Sequence, residues 1–486
     1  MRRFFVKNIL FVIAVNILVK PVWVLLIDRN VQNRLPGGGY GAYQALLSLS
    51  IIFQIVLDFG ITSYNSRIIA QNPNKLSSIF PAMLSARLVL IGIYIALAYG
   101  WAALIGYRGS ELALLSGILL FQSLNALLSF LRSNIAALHK FKTDGILSIT
   151  DRLLMIGVCG FLLLYPATAS HFKIEWFVIT QIASYAITAL AAYLVLRRIA
   201  GVRLRFSFHL PTVSGIIKES LPYAFLIFLM SVYNRADAIM IHRLCANGRE
   251  QADIWASAFR LLDMANMFGL MFATILLPLF GRMLSHKQDV QPIVKLCGNL
   301  LLPISFVVAT AGISFSGEIM HLLYKGAQTS HTREHQVVFS WLIASFPAWC
   351  LMYIYSTLLT ANGNLKALNY IALCGVVFNL GLNFYLIPHF QAVGGAVTSF
   401  LTQTLLSIAF VIACTRILKL TLNPRWVLAL GGYLALVISI AYCTLHFIPL
   451  PWLAQAFILF LISFMLLFVF RFVSITGIKQ LMRRDG

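Results

Sequence analysis

Six basic side chains fall inside long apolar runs of this chain: Lys20, Arg87, Arg132, Arg152, Arg235 and Arg260. Four carboxylates, Asp58, Asp151, Asp237 and Asp263, accompany them. A charge at the centre of a lipid-facing helix costs at least about 2.5 kcal/mol, so such groups turn toward a protein interior or a wet cavity. The cations exceed the anions by two. That excess favours an anionic ligand such as phosphate or pyrophosphate, which guanidinium groups grip through paired N–H donors. Lys20, Arg87, Arg152, Arg235 and Arg260 are therefore the candidate substrate-binding cations. Asp151, Asp237 and Asp263 are the charge-balancing or ion-coupling groups, and no catalytic or metal-ligating residue is expected.

Spacing separates these residues into kinds. Arg260 and Asp263 lie three apart on one helical face, where they either neutralise each other or line a cavity. Arg235 and Asp237 are two apart and cannot face the same way, so at least one needs a partner on another helix. Arg132 and Asp58 lie near the cytoplasmic boundary and read as snorkelling or capping groups. Arg87 and Arg152 lie deeper, where snorkelling and a cavity role both stand. Lys20 adjoins Pro21, which frees a backbone carbonyl and bends the helix where the charge sits.

The elements that must carry these groups are membrane helices. Of 486 residues, 60% are hydrophobic and only 11% charged, whereas soluble domains carry roughly 25% charged residues. About fourteen apolar runs are long enough to cross a bilayer, the first at 8–27, the seventh at 219–241 and the last at 452–472. Pro388 and the Gly394-Gly395 pair punctuate the run 367–415, and Pro449-Leu450-Pro451 divides 426–470. The start, Arg2-Arg3 and Lys7 before an apolar stretch, reads as a signal anchor, since no small-residue cleavage site follows.

A net charge of +22 would ordinarily raise nucleic acid as a partner. Here the basic residues come in small sets between apolar runs, so no single face collects them as a nucleic-acid groove requires. They set topology instead. The predicted cytoplasmic segments hold 23 of them against 8 outside, which puts both termini inside. The expected fold is thus an all-α polytopic membrane protein, without a connection long enough to house an enzymatic domain.

An offset of 222 residues pairs Pro166 with Pro388 and Thr180-Gln181 with Thr402-Gln403, the trace expected of a duplication. The expected organisation is a six-helix lobe at 1–196, a basic cytoplasmic linker at 197–218, a second six-helix lobe at 219–415 and an appended helix pair at 427–472. Two motif-like strings carry nothing further. His331-Thr332-Arg333-Glu334-His335 matches a zinc-peptidase pattern but sits in a short external loop with no third ligand. Gly37-Gly38-Gly39 opens a span with no strand before it and reads as a turn. The seven cysteines are scattered, without metal or disulfide spacing.

Four strings carry a family resemblance. IVLDFGITSYNSRIIA at 55–70, with its LDxG and following basic residue, resembles the second helix of polysaccharide and O-antigen lipid flippases. LPYAFLIFLMSVYNRADAIMI at 221–241 resembles their seventh helix, with its proline start and aromatic-x-R-x-D. IWASAFRLLDMANMFGLMFATILLPLF at 254–280 resembles their eighth, Trp255 standing where Tyr is usual. FNLGLNFYLIPHFQAVGGAV at 378–397 resembles their eleventh, with Gln391-Ala392 altering the loop. The resemblance implies the multidrug/oligosaccharidyl-lipid/polysaccharide (MOP) exporter superfamily: two six-helix lobes in a V, a cationic cavity and alternating access. Family roles carry over to Arg235, Asp237 and Arg260 alone, where motifs match. Lys20, Arg87 and Arg152 rest on depth.

Together these readings lead to an expected flippase, not an enzyme, in the bacterial cytoplasmic membrane. It would carry an undecaprenyl-pyrophosphate-linked oligosaccharide for O-antigen, capsule or exopolysaccharide, with the appended pair guiding the lipid tail. A glycan polymerase and a chain-length regulator would be its partners, and no cofactor is implied. A coupling H+ or Na+ would bind at Asp237 or Asp263, although balance of neighbouring arginines is the favoured reading of both. The rivals are a cation-coupled multidrug exporter of the same fold, against which the positive excess speaks, and a membrane glycan polymerase or acyltransferase, for which only the external loop 317–336 offers room.

Overall fold

The computed structural model describes residues 22–35, 39–59, 62, 69, 76–138, 140–169, 171–202, 210–324, 332–421, 423–470 and 472. Among them, every regular element is helical. Lipid offers the backbone no hydrogen bonds, so apolar runs of this length satisfy their own amides as helices. Among the described residues, ten helices are long and apolar enough to cross a membrane. Lys20, His331 and most of the first predicted span lie outside the described residues.

Proline and glycine decide where helices stop. Leu365–Ile417 carries two predicted spans around a break at Gln391 (φ 53, ψ −133), between Pro388 and the Gly394-Gly395 pair. Phe141–Leu164 ends as Tyr165 turns extended (ψ 120) ahead of Pro166, the conformation a following proline favours. The run predicted at 337–360 is divided into Thr332–Ala344 and Phe346–Ala361, the second starting with a proline near its N-terminus. The predicted seventh and eighth spans lie within Leu210–Leu244 and Gly248–Ser285.

The chain forms two compact units, Met1–Asp253 and Ile254–Gly486. In the first, Ser110–Ala137 packs against Ile174–Ala200, and Gly39–Phe53 packs against both Ser110–Ala137 and Leu210–Leu244. Gly117 permits one close approach: a Cβ there would lie 2.6 Å from Val178 Cγ1, the use of small residues expected where lipid supplies no hydrophobic drive. On Leu76–Leu104 the buried residues Tyr94, Ala98 and Ala102 recur every fourth position, while Leu97, Trp101 and Leu104 are exposed. That stripe faces protein and the opposite side faces lipid. The lobe boundary expected across 197–218 and the unit boundary at Asp253 differ because Leu210–Leu244 lies against Gly39–Phe53.

The second unit is organised around Gln291–Ser314. This helix contacts Thr332–Ala344, Phe346–Ala361 and both appended helices, Pro424–Phe447 and Trp452–Val469. Trp426 Nε1 donates to Asn299 Oδ1, and Tyr433 Oη donates to the Ser463 carbonyl at 3.1 Å. Within a bilayer each such bond is worth about 0.6 kcal/mol, so the pair is held by contact along its length more than by any one bond.

Candidate functional site

Arg152 projects from Phe141–Leu164 in the first unit. Its Nε lies 3.7 Å from Asp151 Oδ2, and 30% of its side chain is open. The guanidinium sits over the Trp23 ring at 5.6 Å, and Trp23 in turn stacks on Phe177 at 5.7 Å. Asp28, Tyr43 and Tyr185 are close enough to act on its charge. A cation resting on an indole face, flanked by phenols and two carboxylates, keeps its charge without being consumed by a single bidentate pair.

The surrounding polar groups are fixed. Tyr40 Oη donates to Asp28 Oδ1 at 2.8 Å, and Gln181 Nε2 donates to Tyr43 Oη at 3.1 Å. Tyr43 meets Phe177 edge-on at 5.4 Å. Buried polar atoms stay in place only when they are hydrogen-bonded, so this lining is preorganised. Trp23–Asp28 is a π-helical segment, a wider turn often found at functional sites. Chemically, the arrangement offers one guanidinium without a bidentate partner for a phosphoryl oxygen, with aromatic, hydroxyl and amide groups suited to a sugar ring.

Arg87 is placed otherwise. It is 1% exposed and bonded to Asp58 Oδ1 at 2.8 Å. Nη2 donates to Thr62 Oγ1 at 2.6 Å, and Nη1 also donates to the Leu57 carbonyl. Phe130 covers the guanidinium at 5.3 Å. Leu57 closes the 3-10 turn Gln54–Leu57, and Asp58 lies in the turn that follows it, where Phe59 takes φ 39. Asp58 and Arg87 thus meet across 29 residues of sequence. Arg132 pairs with Asp144 at 2.8 Å, both partly exposed.

The remaining candidates lie on two successive helices. Arg235 is half-buried and Asp237 fully buried on Leu210–Leu244 in the first unit; Arg260 is buried and Asp263 half-buried on Gly248–Ser285 in the second. Lys20 lies outside the described residues. The structure therefore brings Asp151 and Arg152 together, joins Arg87 to Asp58, and leaves the other candidates distributed between the units. Asp28, Trp23 and Tyr43 are site residues that sequence reasoning missed. Asp28 directly follows the apolar run ending at Ile27 and so read as external; the aspartate adjoining Arg29 at the end of a charged-residue-poor span was the available signal.

Within the second unit an apolar cavity of about 720 Å³ lies among Gln291–Ser314, Phe346–Ala361, Leu365–Ile417 and the appended Pro424–Phe447. Phe306, Ile313, Leu351, Phe400, Leu434 and Ile438 line it. Its wall is mostly hydrocarbon, with the hydroxyls of Thr310, Thr404 and Ser407 among it and no charged side chain.

Residues 5–284 match the family model described as polysaccharide biosynthesis protein. No curated protein sequence matches the chain. Among solved structures, the fold is similar to that of the lipid II flippase MurJ in an inward closed conformation, at 13% identity and TM-score 0.73, over 95% of this chain and 98% of that one. It is similar also to an inward-facing multidrug resistance MATE family transporter of the MOP superfamily, at 12% identity and TM-score 0.65, over 82% and 94% of the two chains. A MOP superfamily transporter from Pyrococcus furiosus, described as having a binding pocket of reverse polarity, matches at 14% identity and TM-score 0.58, over 85% and 95%.

Proposed function

The chain belongs to the polysaccharide biosynthesis protein family, and from that membership we propose that it is a flippase for an undecaprenyl-pyrophosphate-linked oligosaccharide. It is a multi-pass membrane protein with a transporter fold. In this reading the lipid-linked repeat unit of an O-antigen, capsule or exopolysaccharide enters from the cytoplasmic leaflet of the inner membrane and leaves in the external one by alternating access. Both termini lie in the cytoplasm, the two six-helix repeats rock against each other, and a glycan polymerase and chain-length regulator act after release.

One observation carries the reading: Arg152 rests on Trp23 with part of its side chain open and no bidentate carboxylate pair, amid Asp28, Asp151, Tyr43 and Gln181. A guanidinium in this setting holds a phosphate through charge-assisted bonds, and tyrosine, tryptophan and amide groups accept a neutral sugar by stacking and hydrogen bonding. Arg235 in the first unit and Arg260 in the second are the further candidate phosphate-binding cations, while Arg87 secures the Asp58 turn. The polyprenyl tail occupies the apolar cavity beside Pro424–Phe447. Such a chain loses little on leaving lipid for a mostly apolar wall.

A second reading, a cation-coupled multidrug exporter, draws on the buried carboxylates Asp28 and Asp151. Arg152 beside them works against it, because a cationic drug would meet a like charge. Replacing Arg235 or Arg260 by alanine should abolish polysaccharide export while membrane insertion persists. Full export by both variants would remove them from the path, and drug efflux by cells expressing the protein would bring the second reading forward.

A further inference from the structure

The turn between Leu210–Leu244 and Gly248–Ser285 is gripped by residues from the first half of the chain, all inside the unit Met1–Asp253. Gln32 Nε2 donates to the Asp253 carbonyl at 2.9 Å and to its Oδ1 at 2.8 Å. Helix Gly39–Phe53 comes so near that a Cβ on Gly41 would collide with the Arg249 carbonyl oxygen. Arg249 Nη2 lies 3.1 Å from Glu111 Oε1. The Arg243 guanidinium covers the Tyr107 ring at 4.9 Å, and Tyr107 stacks on His242 at 5.5 Å.

His242 is the odd member of this group. Its Nε2 stands 3.9 Å from the Glu111 oxygen that Arg249 already occupies, and its side chain is 3% exposed. Among the described residues neither ring nitrogen makes a hydrogen bond. A buried polar group without a bond is costly, so this imidazole gains by reaching water. We infer that His242 is a proton-binding site that releases a latch, formed by Glu111, Arg249, Tyr107 and Gln32, on the external side of the first unit. The inference rests on the alternating-access reading and on both termini lying in the cytoplasm, which places 105–111 and 242–253 outside.

The groups facing His242 are Glu111 from Ser110–Ala137, Tyr107 from the preceding turn, Arg243 from its own helix and Arg249 from Gly248–Ser285. Burial is the main cause that holds the imidazole down to about 4; Glu111 opposes it, and the two arginines add to it. Opened to water, the ring returns toward its ordinary value near 6.5. Between those values the open latch binds more protons than the shut one, so acid opens it and neutral pH closes it. The closed-to-open ratio falls by about tenfold for each pH step through that window. Protonation in place would also take the Glu111, Arg243 and Arg249 cluster from one net positive charge to two.

Spin labels at Arg108→Cys and Glu250→Cys, both exposed, report the gap across the turn in the full-length protein in nanodiscs without substrate. Cys245→Ser, Cys374→Ser and Cys443→Ser remove the accessible native thiols. The inference expects a single short distance at pH 8 and a longer population that grows below pH 6.5. His242→Phe keeps the stack on Tyr107 without a titrating nitrogen and should hold the short distance at both pH values; His242→Gln does the same should the Phe variant misfold. A pH-independent distance in the parent, or a parental pH response in both folded variants, overturns the latch. Such a result in a protein that still flips lipid counts against the latch alone. A pH-responsive distance in a protein that moves no lipid-linked oligosaccharide counts against the substrate reading alone.

Discussion

Two arginines in the same unit, Arg87 bonded to Asp58 and Arg152 beside Asp151, start from equal standing in the sequence and end as different devices. Arg87 is sealed, with its guanidinium bonded to a carboxylate, a hydroxyl and a carbonyl. Arg152 is 3.7 Å from its aspartate, lies on an indole and keeps 30% of its side chain open. Depth in the membrane requires a charge to be compensated; it does not say whether the compensation is complete. Both terminal nitrogens of Arg87 are bonded and its side chain is buried, which makes a clamp although its Nε has no partner. Arg152, in contrast, holds its carboxylate loosely and keeps bonding capacity for a ligand.

Substitutions can break this contrast, and the largest effect is expected at the clamp. Arg87→Ala removes the partner of Asp58 and should destabilise the first unit by about 3 kcal/mol, at the low end for a buried pair because Asp58 keeps a third of its side chain open. Loss of folded protein from the membrane and a lowered unfolding temperature would show it. Arg152→Ala should leave folding intact and slow lipid movement roughly tenfold to a hundredfold, the worth of one charge-assisted bond. Arg152→Lys should recover part of that rate, since an ammonium binds phosphate as a point charge without the planar fork.

Smaller changes sharpen the same contrast. Tyr40→Phe deletes the hydroxyl that holds Asp28 and should slow transport by about fivefold, the worth of roughly 1 kcal/mol, with the unfolding temperature nearly unchanged. Arg132→Gln breaks a pair whose members are both partly exposed and should cost less than about 1 kcal/mol. Equal stability losses in Arg87→Ala and Arg132→Gln would erase the distinction between sealed and open pairs.

The sequence made the helices and most of their ends legible because both follow from local rules. Pro388 and Gly394-Gly395 bracket the Gln391 break, and Pro166 ends its helix one residue early. Its strings at 55–70, 221–241, 254–280 and 378–397 pointed to the superfamily whose fold the structure shares. The site was less legible, since partnership is a matter of three dimensions. Nothing near Arg87 announces Asp58 and Leu57 about 30 residues upstream, and Asp28 looked external because hydropathy ends at Ile27 while the helix continues into Arg29–Arg34. The contact of Leu210–Leu244 with Gly39–Phe53 inside the first unit was hidden for the same reason, since nothing local to either run announces it.

The central claim, that a lipid-linked oligosaccharide crosses the membrane on Arg152, meets its most direct test in liposomes containing this protein alone. Leaflet-to-leaflet movement of a labelled undecaprenyl-pyrophosphate oligosaccharide should be fast with the parent protein and slowed roughly tenfold to a hundredfold in Arg152→Ala. Movement at the protein-free rate with the parent, or at the parental rate with folded Arg152→Ala, would contradict the account.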